Sequence, residues 1–201
     1  FFHNFSYTLQ NIETEKLDSN DNKISTDGGK LLSSLGYRIS KDTRDNRFNP
    51  TSGYYYALSE QFAGLGGDVN YLSSILRGSY YYKYDYVDLV VGISGEYGNI
   101  EGLNENVSKS NRFFLGGRKV RGFDSSGIGP RVSESSSSSA VGGNNYYVGR
   151  VALRSGIGFP SETGIQWTVF TDFGTLWGVD DTADNYSLNT DQKEIRMSFG
   201  Y

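Results

Sequence analysis

Apolar and polar residues alternate with a period of two along several segments of the chain. Between residues 86 and 98, the apolar side chains lie on one face of an extended strand, and Asp88, Ser94 and Glu96 lie on the other. The same alternation is present at residues 165–173 and 195–201. Because successive side chains of a β-strand point to opposite faces of its sheet, the pattern predicts strands with one apolar and one polar face.

Eight segments are predicted to be strands on this basis. They are residues 3–14, 30–42, 53–63, 69–84, 86–99, 145–155, 164–177 and 194–201. An all-β, antiparallel fold is therefore expected.

The predicted connections between these strands are of two kinds. Three are short, at residues 49–53, 84–85 and 156–164, and Pro and Gly favour tight turns in the first and the last. Three are long, at residues 15–29, 100–144 and 178–193. Short turns that alternate with long polar loops are typical of outer-membrane β-barrels, whereas soluble sandwiches usually have short loops at both ends.

The composition is consistent with a barrel that has one wet face and one lipid face. The mean hydropathy of the 201 residues is -0.50, yet 15% of the residues are aromatic, which argues against disorder. No stretch of about 18 apolar residues is present, so a transmembrane helix is excluded. A spanning strand needs only about 9–11 residues, half of them apolar.

Other features of the composition exclude several classes of function. The absence of Cys excludes disulfides and thiolate metal sites. A net charge of -4 without a basic stripe argues against nucleic acid as a partner. The single histidine, His3, lies far from any serine motif, so hydrolase chemistry with a histidine base is not expected. We therefore predict no enzyme activity, no catalytic residue, no cofactor and no metal site.

Ten tyrosines lie near the ends of predicted strands, where amphipathic rings suit a membrane–water boundary. They are Tyr54, Tyr55, Tyr56, Tyr80, Tyr81, Tyr82, Tyr84, Tyr86, Tyr146 and Tyr147. This clustering favours an aromatic girdle over the general preference of Tyr for strands.

The long connection 100–144 contains apolar residues that a solvated loop would not keep in water. Its middle, residues 112–131, combines them with several glycines. They include Phe113, Phe114, Leu115, Val120 and Phe123. Long loops inside compact domains are usually functional or disordered, and this composition predicts a loop that folds inward and packs against the barrel.

Four motifs between residues 30 and 201, in order and with fitting separations, resemble the barrel of the BamA superfamily. The segment VRGF at 120–123, with its flanking residues, resembles the sixth external loop of that superfamily. Residues 142–144 resemble the start of the strand after that loop, residues 171–177 the thirteenth strand, and residues 42–53 the strand-turn-strand before the loop. The candidate loop residues are Gly116, Gly117, Val120, Arg121, Gly122, Phe123, Gly129 and Pro130.

The resemblance implies that the loop lies inside the barrel and that Arg121 meets acidic residues on the inner wall. Asp172 occupies the position of the thirteenth-strand acid, and a guanidinium fork suits a carboxylate. The twelfth-strand acid is replaced by Ala152. Arg121 therefore either depends on Asp172 alone or uses Asp88 or Glu96 as a substitute partner.

The resemblance also implies a function and a location. Members of the superfamily include barrels of about sixteen strands that fold and insert client β-barrel proteins into the bacterial outer membrane without a nucleotide. The implied partners are outer-membrane lipid and lipopolysaccharide, client β-barrels and accessory assembly lipoproteins. We expect residues 1–201 to be a partial barrel domain of about eight strands. The N-terminal POTRA domains and the closing strands are expected to lie outside the chain.

Three alternative functions remain open from the sequence. The translocation-assembly barrel TamA and two-partner secretion transporters share the loop motif, and the upstream domains would distinguish them. A diffusion porin is a more remote alternative, because an inward loop obstructs the lumen that a porin keeps open.

Overall fold

The computed structural model describes residues 1–17, 23–133, 138–156, 165–180, 188–189 and 193–201. Its regular structure is almost entirely β. The strands are β1 (Phe2–Leu17), β2 (Lys23–Asp42), β3 (Gly53–Ala63), β4 (Tyr71–Tyr84), β5 (Leu89–Gly102), β6 (Arg131–Ser133), β7 (Ser138–Ala140), β8 (Asn145–Gly156), β9 (Gln166–Trp177), β10 (Leu188–Asn189) and β11 (Arg196–Gly200).

Eight of these strands form one antiparallel sheet in the order β1-β2-β3-β4-β5-β8-β9-β11. Each of these eight strands pairs with the one of the eight that follows it in the chain, which is the up-and-down order of a barrel wall. The remaining strands form a small sheet in the order β10-β6-β7, which joins the loop before β8 to the connection after β9. No helix among the described residues is long and apolar enough to cross a membrane.

The two faces of the main sheet differ as the alternation predicts. In β9, Val169 is 45% exposed, whereas Asp172, on the opposite face, is fully buried. Large apolar side chains cover the exposed face along the whole sheet. They include Phe5, Leu35, Leu58, Phe62, Leu76, Ile93, Val151, Trp167, Met197 and Phe199. A continuous exposed apolar face of this size is suited to contact with lipid. The long loop packs on the opposite, polar face.

The predicted all-β class and the eight strand positions are confirmed, but several predicted boundaries are wrong. The predicted long loop at residues 15–29 is wrong for residues 15–17 and 23–29, which belong to β1 and β2 and stay paired as far as Leu17 and Lys23. Residues 18–22 lie outside the described ranges. Backbone hydrogen bonds between strands do not require apolar side chains, so a polar hairpin can extend the sheet. The strand predicted at 86–99 begins at Leu89, because Asp85–Val87 form a 3-10 helix. The predicted turn at 156–164 lies almost wholly outside the described residues.

The predicted girdle is only partly present. Tyr56, Tyr80, Tyr82 and Tyr84 are exposed on the apolar face, where the start of β3 pairs with the end of β4. Tyr146 is instead 1% exposed and packs beneath the long loop. Sequence position alone could not separate these cases, since both kinds of tyrosine lie near strand ends.

The turn between β2 and β3 is held by Asp45. Its carboxylate accepts hydrogen bonds from the Thr51 hydroxyl at 2.6 Å and from the backbone N–H groups of Thr51 and Ser52 at 2.9 and 3.1 Å. These bonds, led by that of the Thr51 hydroxyl, hold the pKa of Asp45 well below its ordinary value. The stabilisation is therefore present above the ordinary carboxyl pKa and is lost only in strong acid. Arg154 of β8 donates to the carbonyl of Pro50, which ties this turn to the polar face.

Glu60 is a carboxylate on the apolar face of the sheet. It shares the phase of Leu58 and Phe62 in β3, both of which are exposed. Its neighbour across the ladder is Ser74, whose hydroxyl donates to the Glu60 carboxylate at 2.5 Å. A single hydroxyl compensates little of the cost of placing a carboxylate against hydrocarbon.

Replacement of Glu60 by Leu is expected to stabilise the full-length barrel in lipid by about 1–2 kcal/mol, because charged side chains on the lipid face of a barrel are destabilising. The measurement is the midpoint of urea unfolding in vesicles. Glu60→Gln, which removes the charge but keeps an acceptor for Ser74, should give part of the gain. A lower midpoint for both variants would show that the carboxylate has a stabilising partner.

Candidate functional site

The loop between β5 and β8 packs its apolar residues onto the polar face of the sheet. Leu115, Val120 and Ile128 of the loop are between 0% and 3% exposed. They form one cluster with Tyr146 of β8 and Leu176 of β9. Burying these side chains supplies the main favourable term for folding the loop inward, as its composition predicts.

Backbone hydrogen bonds give the loop a defined shape. Ile128 donates to the carbonyl of Leu115 at 3.0 Å, which joins the two sides of the segment that carries VRGF. At the base of the loop, Phe113 and Gly143 exchange two hydrogen bonds of 2.9 and 3.0 Å. The loop is therefore a folded unit with two internal bridges, and its apex, residues 117–123, is held in one place.

Two glycines of the loop are required by its geometry. Gly122 has a φ of +84° and turns the chain directly after Arg121. Gly129 has a φ of +112°, and a Cβ there would lie 2.5 Å from the Leu176 side chain. Residues with a Cβ rarely adopt these conformations, so glycine permits both the turn at the apex and the close approach to β9.

The structure brings Arg121 and Asp172 together. The guanidinium donates from Nε to Oδ2 of Asp172 at 2.7 Å and from a terminal nitrogen to Oδ1 at 2.8 Å. The backbone N–H of Arg121 also donates to Oδ2 at 3.1 Å. Asp172 is fully buried, and its carboxylate meets the guanidinium fork in the bidentate geometry that gives the strongest ion pairs. The guanidinium carbon lies 3.2 Å from the centroid of the Phe170 ring, which adds a cation–π contact.

A second guanidinium shares the same carboxylate. Arg150 of β8 is opposite Asp172 in the ladder and donates to both of its oxygens, at 2.7 and 3.2 Å. Arg150 also donates to the backbone carbonyl of Arg118 in the loop, at 3.4 Å. The resemblance implies a second carboxylate at the position of Ala152. This chain has no carboxylate there, and a second guanidinium, that of Arg150, binds the Asp172 carboxylate. Asp172 is therefore the centre on which loop and wall converge.

Neither predicted substitute carboxylate contacts Arg121. Asp88 lies in the turn after the 3-10 helix and pairs with Lys83 at 2.9 Å, and its side chain is 67% exposed. Its expected inward position is wrong, because strand β5 begins only at the next residue. Glu96 does face the loop, but it accepts from Lys119 at 2.6 Å.

Glu96 forms a second anchor for the loop. Its carboxylate accepts hydrogen bonds from Lys119 of the loop, from Arg77 of β4 at 2.5 Å and from the Tyr146 hydroxyl. The Lys119 ammonium also lies 4.0 Å from the centroid of the Tyr146 ring. Two carboxylates on the wall, Glu96 and Asp172, therefore hold two cations that are two residues apart at the apex.

The remaining candidate residues have supporting positions. Val120 and Pro130 are buried, Phe123 is partly buried against the apolar cluster, and Phe114 is 38% exposed. Gly116 and Gly117 lie at the tight turn where the apex begins, and the backbone N–H of Lys119 donates to the carbonyl of Gly116 at 3.1 Å. No group of three or more His, Cys, Asp or Glu side chains suited to a metal occurs in the part of the chain that the structure describes.

The candidate site residues named from the sequence did not include Arg77, Lys119 or Arg150. The alternation gave a usable signal for the two strand residues, since Arg77 of β4 and Arg150 of β8 lie on the polar face, one on each side of β5. Nothing in the sequence indicated that they would share the carboxylates of Glu96 and Asp172 with the loop. These shared ion pairs depend on where the loop apex lies on the polar face of the sheet, which the sequence does not specify.

Comparisons with known proteins agree with this architecture. Residues 3–201 match the profile of the Omp85 superfamily domain. The outer membrane protein assembly factor BamA of Neorickettsia risticii is 32% identical over 197 residues, which is 98% of this chain and 26% of that protein. A SAM50-like protein of Schizosaccharomyces pombe is 33% identical over 132 residues, 63% of this chain and 27% of that protein. The chain spans about a quarter of the length of these relatives.

A solved structure has the same fold. The crystal structure of BamA from Haemophilus ducreyi lacking POTRA domains 1–3 matches with a TM-score of 0.69. The match covers 81% of this chain and 33% of that one at 18% identity, so it supports the fold alone.

Replacement of Asp172 by Asn is expected to loosen the loop, because two guanidinium groups lose their charged partner. We expect a cost of about 2 kcal/mol, below the range for fully buried pairs because both arginines are partly exposed. This corresponds to a roughly 30-fold larger population of the released loop. Trypsin cleavage after Arg118, Lys119 or Arg121 in the folded full-length protein measures this population. Asp124→Asn, the same chemical change at an exposed loop position, should leave the cleavage rate unchanged.

Replacement of Lys119 by Met is expected to have a smaller effect, about 0.5–1 kcal/mol, since a partly exposed ion pair contributes little and Glu96 keeps Arg77 and Tyr146. The same cleavage assay, followed after Arg118 and Arg121, checks it. Lys109→Met provides the matched control, because Lys109 is exposed on the same loop away from the apex. An effect as large as that of Asp172→Asn would contradict the ranking of the two anchors.

Proposed function

This chain belongs to the Omp85 superfamily, and from that premise we propose that it is part of a barrel that folds and inserts other β-barrel proteins into the outer membrane. The observation that carries the proposal is the docked loop, whose Arg121 is held by Asp172 through two hydrogen bonds from the side chain and one from the backbone. The BamA relative that matches 98% of the chain supports the same function.

The chain is part of a bacterial outer-membrane β-barrel. Its polar face, which carries the loop, is the lumen side, and its exposed apolar face is the side that contacts lipid. We propose that the acyl chains of outer-membrane lipid and lipopolysaccharide cover that face.

The proposed mechanism depends on the edges of sheets. A client strand that enters a membrane carries unpaired backbone N–H and C=O groups that hydrocarbon cannot satisfy. A barrel whose first and last strands pair weakly can open and offer an edge on which the client strand pairs. Folding of the client then supplies the free energy, so no nucleotide and no covalent chemistry are needed. On this proposal the protein is not an enzyme.

The role of the docked loop in this mechanism is to keep the barrel wall in shape. The apex is tied to β5 through Lys119 and Glu96 and to β8 and β9 through Arg150 and Asp172. These contacts join three strands of the wall through the loop, so the wall keeps its curvature while the first and last strands of the barrel separate. We further propose that accessory lipoproteins assist the full-length protein, as the resemblance implies.

Replacement of Arg121 by Ala in the full-length protein is expected to slow client assembly or to destabilise the barrel, because Asp172 then keeps Arg150 but loses the loop. The measurement is the rate at which the purified, reconstituted protein folds a client barrel into vesicles, together with the level of folded protein in cells that carry only this variant. We expect a reduction of about tenfold, in keeping with the loss of one partly exposed, charge-assisted pair.

The control for this variant is Arg47→Ala. The Arg47 side chain is 81% exposed in the turn between β2 and β3, and its ion pair with Asp42 is long, at 3.7 Å. Loss of this weak, exposed ion pair should leave assembly unchanged. Normal growth and normal barrel levels with Arg121→Ala would refute the proposed role of the loop.

A further inference from the structure

A cavity of about 280 Å³ lies between the loop apex and the polar face of the sheet. Four basic side chains line it: Arg118 and Lys119 from the loop, Arg77 from β4 and Arg150 from β8. Glu96 is the one carboxylate among the described residues that line it. Its volume is several times the ~30 Å³ that a water molecule takes up in the liquid.

The positive charge in this cavity is only partly compensated. Glu96 is shared between Arg77 and Lys119, so one negative charge serves two cations. Arg150 is paired with Asp172, but Asp172 is itself shared with Arg121. Glu96 and Asp172 are therefore each shared by two cations, which leaves a surplus of one positive charge at each carboxylate.

Arg118 adds a further unbalanced charge. Its side chain is exposed and forms no hydrogen bond or ion pair with any residue in the described ranges; only its backbone carbonyl is engaged, by Arg150. A guanidinium presents five N–H donors, and Arg77 uses one of its own on Glu96. Donors that face this cavity thus remain available in excess of the acceptors that its described lining residues supply.

We propose that this cavity binds a phosphate-class oxyanion. A dianion with several acceptor oxygens offsets the surplus of cations better than chloride does, and guanidinium forks suit its geometry. The anion comes from solution and not from a lipid headgroup, because the cavity opens on the polar face and the sheet separates it from the lipid face. Bound there, it links Arg118 and Lys119 of the loop to Arg77 and Arg150 of the wall. The bound anion is therefore a third contact between the apex and the barrel wall, in addition to those at Asp172 and Glu96, and it forms only when the ligand is present.

The test is isothermal titration of inorganic phosphate into the full-length protein in nanodiscs, at constant ionic strength set with sodium chloride. We expect saturable binding to a single site that chloride does not reproduce. Arg118→Gln should weaken it by about tenfold, as expected for one charge-assisted contact. Arg118 is exposed, so this variant keeps the fold, and Arg47→Gln is the matched control that should bind as the parent does.

Two results of this titration would overturn the proposal. One is the absence of saturable phosphate binding, and the other is an equal affinity of the parent protein and Arg118→Gln. A structure of the full-length protein in which one of its own carboxylates fills the cavity would overturn it as well. No client protein is needed for this titration, so its outcome is independent of the proposed assembly function.

Discussion

The loop and the barrel wall depend on one buried carboxylate. Asp172 is removed from water and accepts hydrogen bonds from two guanidinium groups and one backbone N–H. A buried charge is tolerated only when it is paired and hydrogen-bonded, and Asp172 has both Arg121 and Arg150 as partners. Arg121 belongs to the loop and Arg150 to β8. Because both bind Asp172 of β9, this one carboxylate holds the loop against the wall.

The apolar packing and the ion pairs of the loop have different effects. Burial of Leu115, Val120 and Ile128 favours an inward loop but does not by itself define its orientation. The hydrogen bonds of Asp172 and Glu96 are directional, and they place the apex at one point of the sheet. The same directional contacts leave basic groups in surplus around one cavity, which makes the lumen below the loop attractive to anions.

Much of the fold could be predicted from sequence because of a simple geometric rule. The period of two in β5, β9 and β11 predicts the faces, and Gly and Pro around residue 50 predict a turn. The candidate pair Arg121 and Asp172 came from the resemblance of motifs, with the phase of Asp172 as independent support. The hairpin extension at Leu17 and Lys23 could not be predicted, since polar residues pair in strands without any apolar signal.

The sequence by itself therefore determined the positions of the eight main strands, their two faces and the presence of an inward loop. Only the tertiary structure decided the partners: that Arg150 shares Asp172, that Glu96 binds Lys119 instead of Arg121, and that Asp88 stays outside the site. The physical reason is that alternation is local and depends on adjacent residues, whereas an ion pair depends on distances between strands far apart in the chain. Those distances follow from the register of the sheet and the reach of the loop, which a sequence pattern does not contain.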